Sequence, residues 1–295
     1  MPDLITVSDE VATALAEQTP VVALETTLVA HGFPAPEGVA VGLESERQVR
    51  DAGAVPATIG VLDGAIRVGL SEDELSRFTP EARKLGPRDI AACAVQGAVG
   101  ATTVGGTLSV ARSLGIRFLG TGGLGGVHRS FPSPPDVSAD LGELAHSPAL
   151  VVASGVKSLL DVPATMEVLE TLGVPVLGWQ TDTLPLFYSA DGGPPVSARI
   201  ETTTEAAAVA AAHWQLGGAG LLLGNPSPES IDVESLIEEA LTEAERGGVA
   251  GQGVTPFVLS YLHERSGGET LRVNRLLIAA NAGLAARIAV AYAAP

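Results

Sequence analysis

Short apolar runs alternate with stretches of helical periodicity along almost the whole chain, and this alternation is what most narrows the folds open to it. Val21 to Ala30 is β-branched and apolar around Glu25, and reads as one buried strand. Pro34 and Pro36 follow, and Glu37 to Ala52 carries helical spacing. In Thr58 to Leu70, Asp63-Gly64 stands between two alternating runs, the signal of a tight hairpin. Ser71 and Asp89 each open a short helix, Thr107 to Leu114 is helical, and Ile116 to Thr121 is a strand. Leu150 to Ala153 and Val174 to Trp179 read as strands around a helix at Pro163 to Leu172. Thr203 to Leu216, Ile231 to Arg246 and Pro256 to Glu264 read as helices, with a strand at Leu221 to Leu223 and a long apolar helix at Leu271 to Ala293. Strands that alternate with helices predict an α/β fold: a single large α/β/α layered domain over residues 1–295. The hairpin among the βα units makes its sheet mixed. No internal repeat or low-complexity linker divides the chain, and the irregular stretch Thr181 to Pro195 keeps apolar Leu184, Leu186, Phe187 and Tyr188 for packing.

Composition bounds the partners. Hydrophobic residues make up 46% and charged residues 17%, so the chain can bury a core and lacks the signature of disorder. Its net charge of −17 repels phosphate backbones and anionic lipid, which argues against nucleic acid or a membrane as a main partner. The apolar stretches Ala206 to Gly224 and Leu276 to Pro295 are interrupted by His213 and Gln215, or by Asn281 and Arg287, and read as buried elements rather than spans. One cysteine, Cys93, allows no internal disulfide, and Met1 to Gln18 has no signal-peptide pattern, so a cytoplasmic location is expected. The 17 bases comprise 15 Arg and only two Lys, Lys84 and Lys157. In so Arg-biased a chain a retained Lys is a candidate for chemistry that Arg cannot perform, above all attack by a neutral amine. Asn is equally scarce, with Asn225, Asn274 and Asn281 alone.

Four segments carry candidate chemistry. Glu25, inside V-V-A-L-E-T-T, is a carboxylate in apolar surroundings; burial raises such a pKa and suits it to acid–base work, unless an Arg neutralises it. Gly120 to Gly125 is a literal G-x-G-x-x-G, but no helix opens at its third glycine, because Val127-His128-Arg129 runs into Pro132, Pro134 and Pro135. A dinucleotide site is therefore rejected, and the loop is either an anion cradle, with His128 and Arg129 at its end, or a tight turn. Asp136, Ser138 and Asp140 alternate, which on an extended segment sets oxygen ligands on one face for Mg²⁺ or Mn²⁺; Asp140 with Glu143 also reads as a helix cap. Lys157 follows the strand Leu150 to Ala153 on a turn near Gly155, where open α/β sheets place ligands. Lys84, ahead of Arg88, offers charge for a phosphate, whereas Cys93 reads as core.

These segments, in this order, resemble the pseudouridine-5′-phosphate glycosidase family, some of whose members are named for indigoidine biosynthesis. The blocks are V-A-L-E-T-T with A-H-G-F-P-x-P, G-A-V-P-A-T-I-G-V-L-D-G, G-A-T-T-V, T-G-G-L-G-G-V-H-R, D-V-S-A-D-L, G-V-K-S-L-L-D, G-N-P-S-P-E, T-P-F-V-L and the Asn-bearing C-terminal helix, spanning about Pro20 to Ala289. The resemblance implies reversible cleavage of pseudouridine 5′-phosphate to uracil and ribose 5-phosphate, a divalent metal, usually Mn²⁺, and a homotrimer. It implies Glu25 as proton donor and Lys157 as nucleophile. It further implies Lys84, Val104, Ser138, Ala139 and Asp140 as substrate contacts and Asp136 as metal ligand, and His128 and Asn274 also fall in its motifs. The chain departs from the family pattern at Gly86-Pro87, where Ser-Arg is usual, at Ala280, where Asn is usual, and at Gln252, where Lys is common. These departures bear on how phosphate and base are held.

The expected reaction explains the residue types. The base is joined to C1′ through carbon, so the two-carboxylate logic of ordinary glycosidases does not suffice. Addition of a Lys amine at C1′ of an opened ribose, with an acid to protonate C5, provides a route. Two other classes share parts of the pattern: a Schiff-base lyase acting on another sugar phosphate, told apart by the product released, and a non-catalytic sugar-phosphate-binding protein, which would need neither Glu25 nor Lys157.

Overall fold

The computed structural model describes residues 4–129, 136–249 and 253–294. In chain order its elements begin β1 (Ile5–Val7), α1 (Asp9–Ala16), β2 (Val21–Leu24), α2 (Thr27–His31), α3 (Glu37–Asp51), β3 (Val55–Leu62), β4 (Ala65–Val68) and α4 (Glu72–Leu75). Then come β5 (Arg83–Leu85), α5 (Ile90–Val95), β6 (Gly100–Thr102), α6 (Val104–Ser113), β7 (Phe118–Gly120), β8 (Val127–His128), α7 (Ala139–His146), β9 (Leu150–Ala153) and β10 (Leu160–Asp161). The last are α8 (Val162–Thr171), β11 (Val176–Trp179), β12 (Ala198–Ile200), α9 (Thr203–Gln215), β13 (Leu221–Gly224), α10 (Glu234–Arg246), α11 (Val254–Arg265) and α12 (Glu269–Ala293).

Eleven strands form one mixed sheet, as the alternation requires. Its main path runs β1-β4-β3-β2-β7-β9-β13-β11-β12, with β6 and β5 branching from β3. From β3 to β12 along this path every neighbour pair is parallel, while the β3–β4 hairpin is antiparallel. Asp63 and Gly64 both take positive φ, 53° and 79°, the turn that an Asp-Gly pair encodes. The parallel strands β2, β9 and β13 are buried throughout, which is why they read as unbroken apolar runs. Helix α12 is long and apolar enough to cross a membrane by composition, yet Val273, Leu277, Ala282, Ala285 and Ile288 lie buried against the sheet, α3 and α9.

The expected strand over Val21 to Ala30 ends at Leu24. Thr26 turns the chain by donating its hydroxyl to the Ile59 carbonyl (2.8 Å) and accepting the Thr102 N–H (2.9 Å). Helix α2 then begins despite β-branched Thr27 and Val29, because these tertiary hydrogen bonds outweigh local strand preference. Strand order reverses between β2 and β7: from β2 the chain proceeds to β3 on one side, while β7 leads to β9 on the other. Ligands of open α/β sheets bind outside the strand ends at such a switch point.

Candidate active site

The C-terminal ends of β2, β7, β9 and β13 deliver the site. Glu25 leaves β2 and is 4% exposed. It has no Arg partner among the described residues. Instead its carboxylate accepts hydroxyl hydrogen bonds from Thr27 and from Thr121, the latter at the end of β7, so one contact spans the switch point. Beneath it, Asn281 of α12 donates to the Thr121 carbonyl (2.7 Å) and to Ser154 Oγ (3.2 Å), and accepts from Asn225 at the end of β13 (2.9 Å). This network ties the three strand ends to one helix.

The glycine loop does not open a helix. It runs into β8, which pairs with β10, and it zips onto the turn carrying Lys157: the Leu124 N–H donates to the Gly155 carbonyl (3.0 Å) and the Lys157 N–H to the Leu124 carbonyl (3.1 Å). At Gly125 a Cβ would lie 2.3 Å from Ser138 Oγ and 2.6 Å from Asp140 Oδ2, so this glycine permits close approach by the protein itself. Gly155 adopts φ 78°, and a Cβ there would meet the Pro185 carbonyl at 1.9 Å. Pro132, Pro134 and Pro135 lie outside the described residues.

The expected one-face alternation of Asp136, Ser138 and Asp140 does not form, because the extended segment stops at Ser138. Ser138 caps α7, accepting the Asp140 N–H (3.2 Å), so the helix cap falls on Ser138 rather than on Asp140. Asp140 is buried and clamps two segments, accepting the Gly105 N–H at the start of α6 (2.7 Å) and the Gly125 N–H (3.0 Å). Those backbone donors are thereby committed, and Gly125 is not free to cradle an anion. Val104 opens α6 and is buried as a whole residue, and it lines neither of the hollows described below, so the structure does not bring it to the other expected contacts. Ala139 is exposed at the start of α7. Asp136 lies 3.6 Å from His128 Nδ1. Burial is the main influence lowering the His128 pKa; Lys84 and Lys157 add to it and Asp136 opposes it.

Two hollows meet at the lysines. An inner chamber is walled by Leu28, Phe33, Phe187 and Ile278 and contains Glu25, Thr121, His31 and Asn274. An outer cleft holds Asp136, Ser138, Ala139, Asp140 and His128. Lys84 and Lys157 line both. Neither ammonium has a carboxylate within 4.0 Å or a hydrogen-bond acceptor among the described residues. Burial, and then the charge of Lys157, hold the Lys84 amine below the ordinary lysine range, against the pull of Asp140, Glu25 and Asp136. An anion placed between the two cations would relieve that repulsion. Arg88 stands at the cleft rim with its side chain 83% exposed, 3.4 Å from Asp89, and adds little fixed charge inside. Cys93 is buried core, with its thiol pKa raised by burial.

The structure therefore gathers Glu25, Lys84, Lys157, Asp136, Ser138, Ala139, Asp140, His128 and Asn274 around two joined hollows. Sequence reasoning missed Thr27 and Thr121, which hold Glu25, and His31. It also missed the Asn225–Asn281 pair, for which the scarcity of Asn was the available signal: all three Asn lie in or beneath the site. Phe187 shapes the chamber wall with φ 64°, a sparsely populated conformation for a non-glycine residue. The departure at Gln252 lies outside the described residues.

A mixed α/β sheet with a cationic, carboxylate-bearing crevice at its switch point defines a class of small-anion sites. Within that class, residues 10–291 match the family described as indigoidine synthase A like protein. Similar proteins include the pseudouridine-5′-phosphate glycosidases of Herpetosiphon aurantiacus, 46% identical over 96% of each chain, and of Glaesserella parasuis, 42% identical over 99% of each. Among solved structures, the prealnumycin C-glycosynthase AlnA in complex with ribulose 5-phosphate superposes with a TM-score of 0.89 at 40% identity, covering 99% of this chain and 98% of that one. An indigoidine synthase A-like protein of Thermotoga maritima gives 0.89 at 39% identity, covering 99% and 97%. The chain belongs to the indigoidine synthase A-like family, and the curated relatives it matches are enzymes.

Proposed function

We propose that this protein cleaves, and in reverse forms, the carbon–carbon glycosidic bond of pseudouridine 5′-phosphate, with uracil and ribose 5-phosphate as the other side of the equilibrium. The observation that carries the reading is the shared wall of the two hollows: two lysines without partners among the described residues, the buried Glu25 on the apolar side and the polar cleft on the other. An aromatic base suits the apolar chamber, and a sugar phosphate suits the cleft. The names of the relatives and the ribulose 5-phosphate in the AlnA structure support the same substrate class.

In this reading the neutral Lys157 amine attacks C1′ and forms an N–C1′ bond while the C1′–O4′ bond breaks; Glu25 gives its proton to O4′. Glu25, now ionised, takes a proton from the resulting ammonium and so frees the nitrogen lone pair, which forms a C1′=N bond as the C1′–C5 bond breaks. Those bond electrons pass into the uracil ring, where C5 takes a proton returned through Glu25. Water hydrolyses the imine to ribose 5-phosphate and frees the amine. Thr27 and Thr121 keep both carboxylate oxygens aimed while the proton moves. Asp136 is the proposed ligand of a divalent ion such as Mn²⁺. No cluster of three or more His, Cys, Asp or Glu exists among the described residues, so a single carboxylate would hold the ion together with water and substrate oxygens, as suits a hard cation. The bound ion would supply charge for ordering oxygens in the cleft. A homotrimer is the proposed state, on the family resemblance, and a cytoplasmic location is proposed with it.

The direct test mixes the protein with uracil, ribose 5-phosphate and Mn²⁺ and looks for a C-linked nucleotide. Release of a small aldehyde from sugar phosphates, with no uracil chemistry, would favour the lyase alternative instead. Lys84→Ala is expected to lose about 10- to 150-fold in kcat/KM on pseudouridine 5′-phosphate, the worth of one charge-assisted hydrogen bond. It is expected to lose much less on pseudouridine, which has no phosphate. Equal losses on both substrates would move Lys84 out of phosphate binding. Asp136→Asn is expected to weaken activation by Mn²⁺ with the melting temperature unchanged. Full activity of the parent after exhaustive chelation would remove the metal from the reaction.

A further inference from the structure

The inner chamber is lined by two residues that each carry a polar atom the rest of the described protein leaves unanswered. His31 Nε2 and Asn274 Oδ1 are both shut off from solvent and have no hydrogen-bond partner among the described residues. Both residues line the same chamber, between the apolar walls formed by Leu28, Phe33, Phe187 and Ile278. A buried polar atom without a partner is costly, and two that share one hollow point to a ligand that completes them. The hydroxyls nearby do not do so, since Thr27 and Thr121 are committed to Glu25.

The geometry points to His31 as a residue that reads the edge of the pyrimidine base, working with Asn274 of the same chamber. This assignment rests on the function proposed above and extends it to base selection. Uracil carries N–H donors and carbonyl acceptors around a flat ring, so it can satisfy an imidazole nitrogen in either tautomer together with an amide oxygen. Sugar phosphate would not be drawn to this pair, because its charge belongs with the two lysines at the cleft. The fold sets the reader close to the acid in sequence: His31 is the last residue of α2, the short helix that begins two residues after Glu25. Burial, then the charge of Lys84, lowers the His31 pKa against an opposing contact with the Ala82 carbonyl, a direction that favours the neutral ring.

The test uses the full chain in the synthetic direction, varying uracil at saturating ribose 5-phosphate and then the reverse. His31→Phe keeps a flat ring and removes both nitrogens. It is expected to raise the KM for uracil by tenfold or more and to leave the KM for ribose 5-phosphate within twofold. His31→Gln restores a hydrogen-bonding group and is expected to recover a uracil KM within about threefold of the parent. An unchanged uracil KM in His31→Phe, or equal rises for both substrates, overturns the assignment. Should the Phe variant fail to fold, ¹⁵N spectra of the parent decide: uracil must shift the His31 ring resonances, and no shift overturns the role. A parent that joins no base to ribose 5-phosphate overturns the proposed function itself, an outcome distinct from a working parent whose uracil KM ignores His31.

Discussion

Lys157→Arg is expected to lower turnover of pseudouridine 5′-phosphate by about 10³-fold or more, on the order of 4 kcal/mol in the barrier. The substitution keeps the positive charge and nearly the bulk on the turn after β9, so the electrostatics of the shared wall survive. What it removes is an amine that can shed its proton, because a guanidinium stays charged throughout the accessible pH range. The same variant is expected to lose the borohydride-trapped adduct with ribose 5-phosphate that the parent forms, read by mass spectrometry. Turnover within tenfold of the parent would exclude a covalent role for Lys157 and return the chemistry to Glu25 and the metal.

Glu25→Gln is expected to lower kcat by about 10²- to 10⁴-fold, the usual range for a positioned acid–base group. The fold tolerates this change for a specific reason. The amide oxygen can accept from one of the Thr27 and Thr121 hydroxyls, and the amide N–H₂ can donate to the other. The melting temperature is therefore expected to stay close to that of the parent, and the KM to change by less than about threefold, since the lysines that hold the anion are untouched. A kcat within fivefold of the parent would show that another group carries the proton. Thr121→Val offers a graded companion, because it removes one of the hydroxyls that aim the carboxylate while the carboxylate stays.

Much of the fold was readable because parallel strands buried on both faces leave long apolar runs and the helices between them keep their 3.6-residue period. The β3–β4 turn was readable because Asp-Gly tolerates positive φ where other residues do not. The segment after Leu24 was misread because its β-branched residues favour a strand by themselves, and only the Ile59 carbonyl and the Thr102 N–H turn it into a helix. The glycine loop was read correctly as lacking a helix. Its tight spot at Gly125 serves Ser138 and Asp140 of the protein rather than a ligand.

The sequence by itself determined the class of fold, the excess of acidic residues, and that only two lysines were present as candidates for amine chemistry. Composition can do this because it is a property of the chain, independent of where each residue ends up. Only the tertiary structure decided that Lys84 and Lys157, 73 positions apart by subtraction of their numbers, wall the same two hollows. It alone showed that Glu25 is held by hydroxyls instead of by an Arg, and that Asp140 serves as a backbone clamp. The physical reason is the switch point. Strands distant in sequence end side by side there, and the partners of each polar side chain come from the neighbouring strand rather than from its own segment.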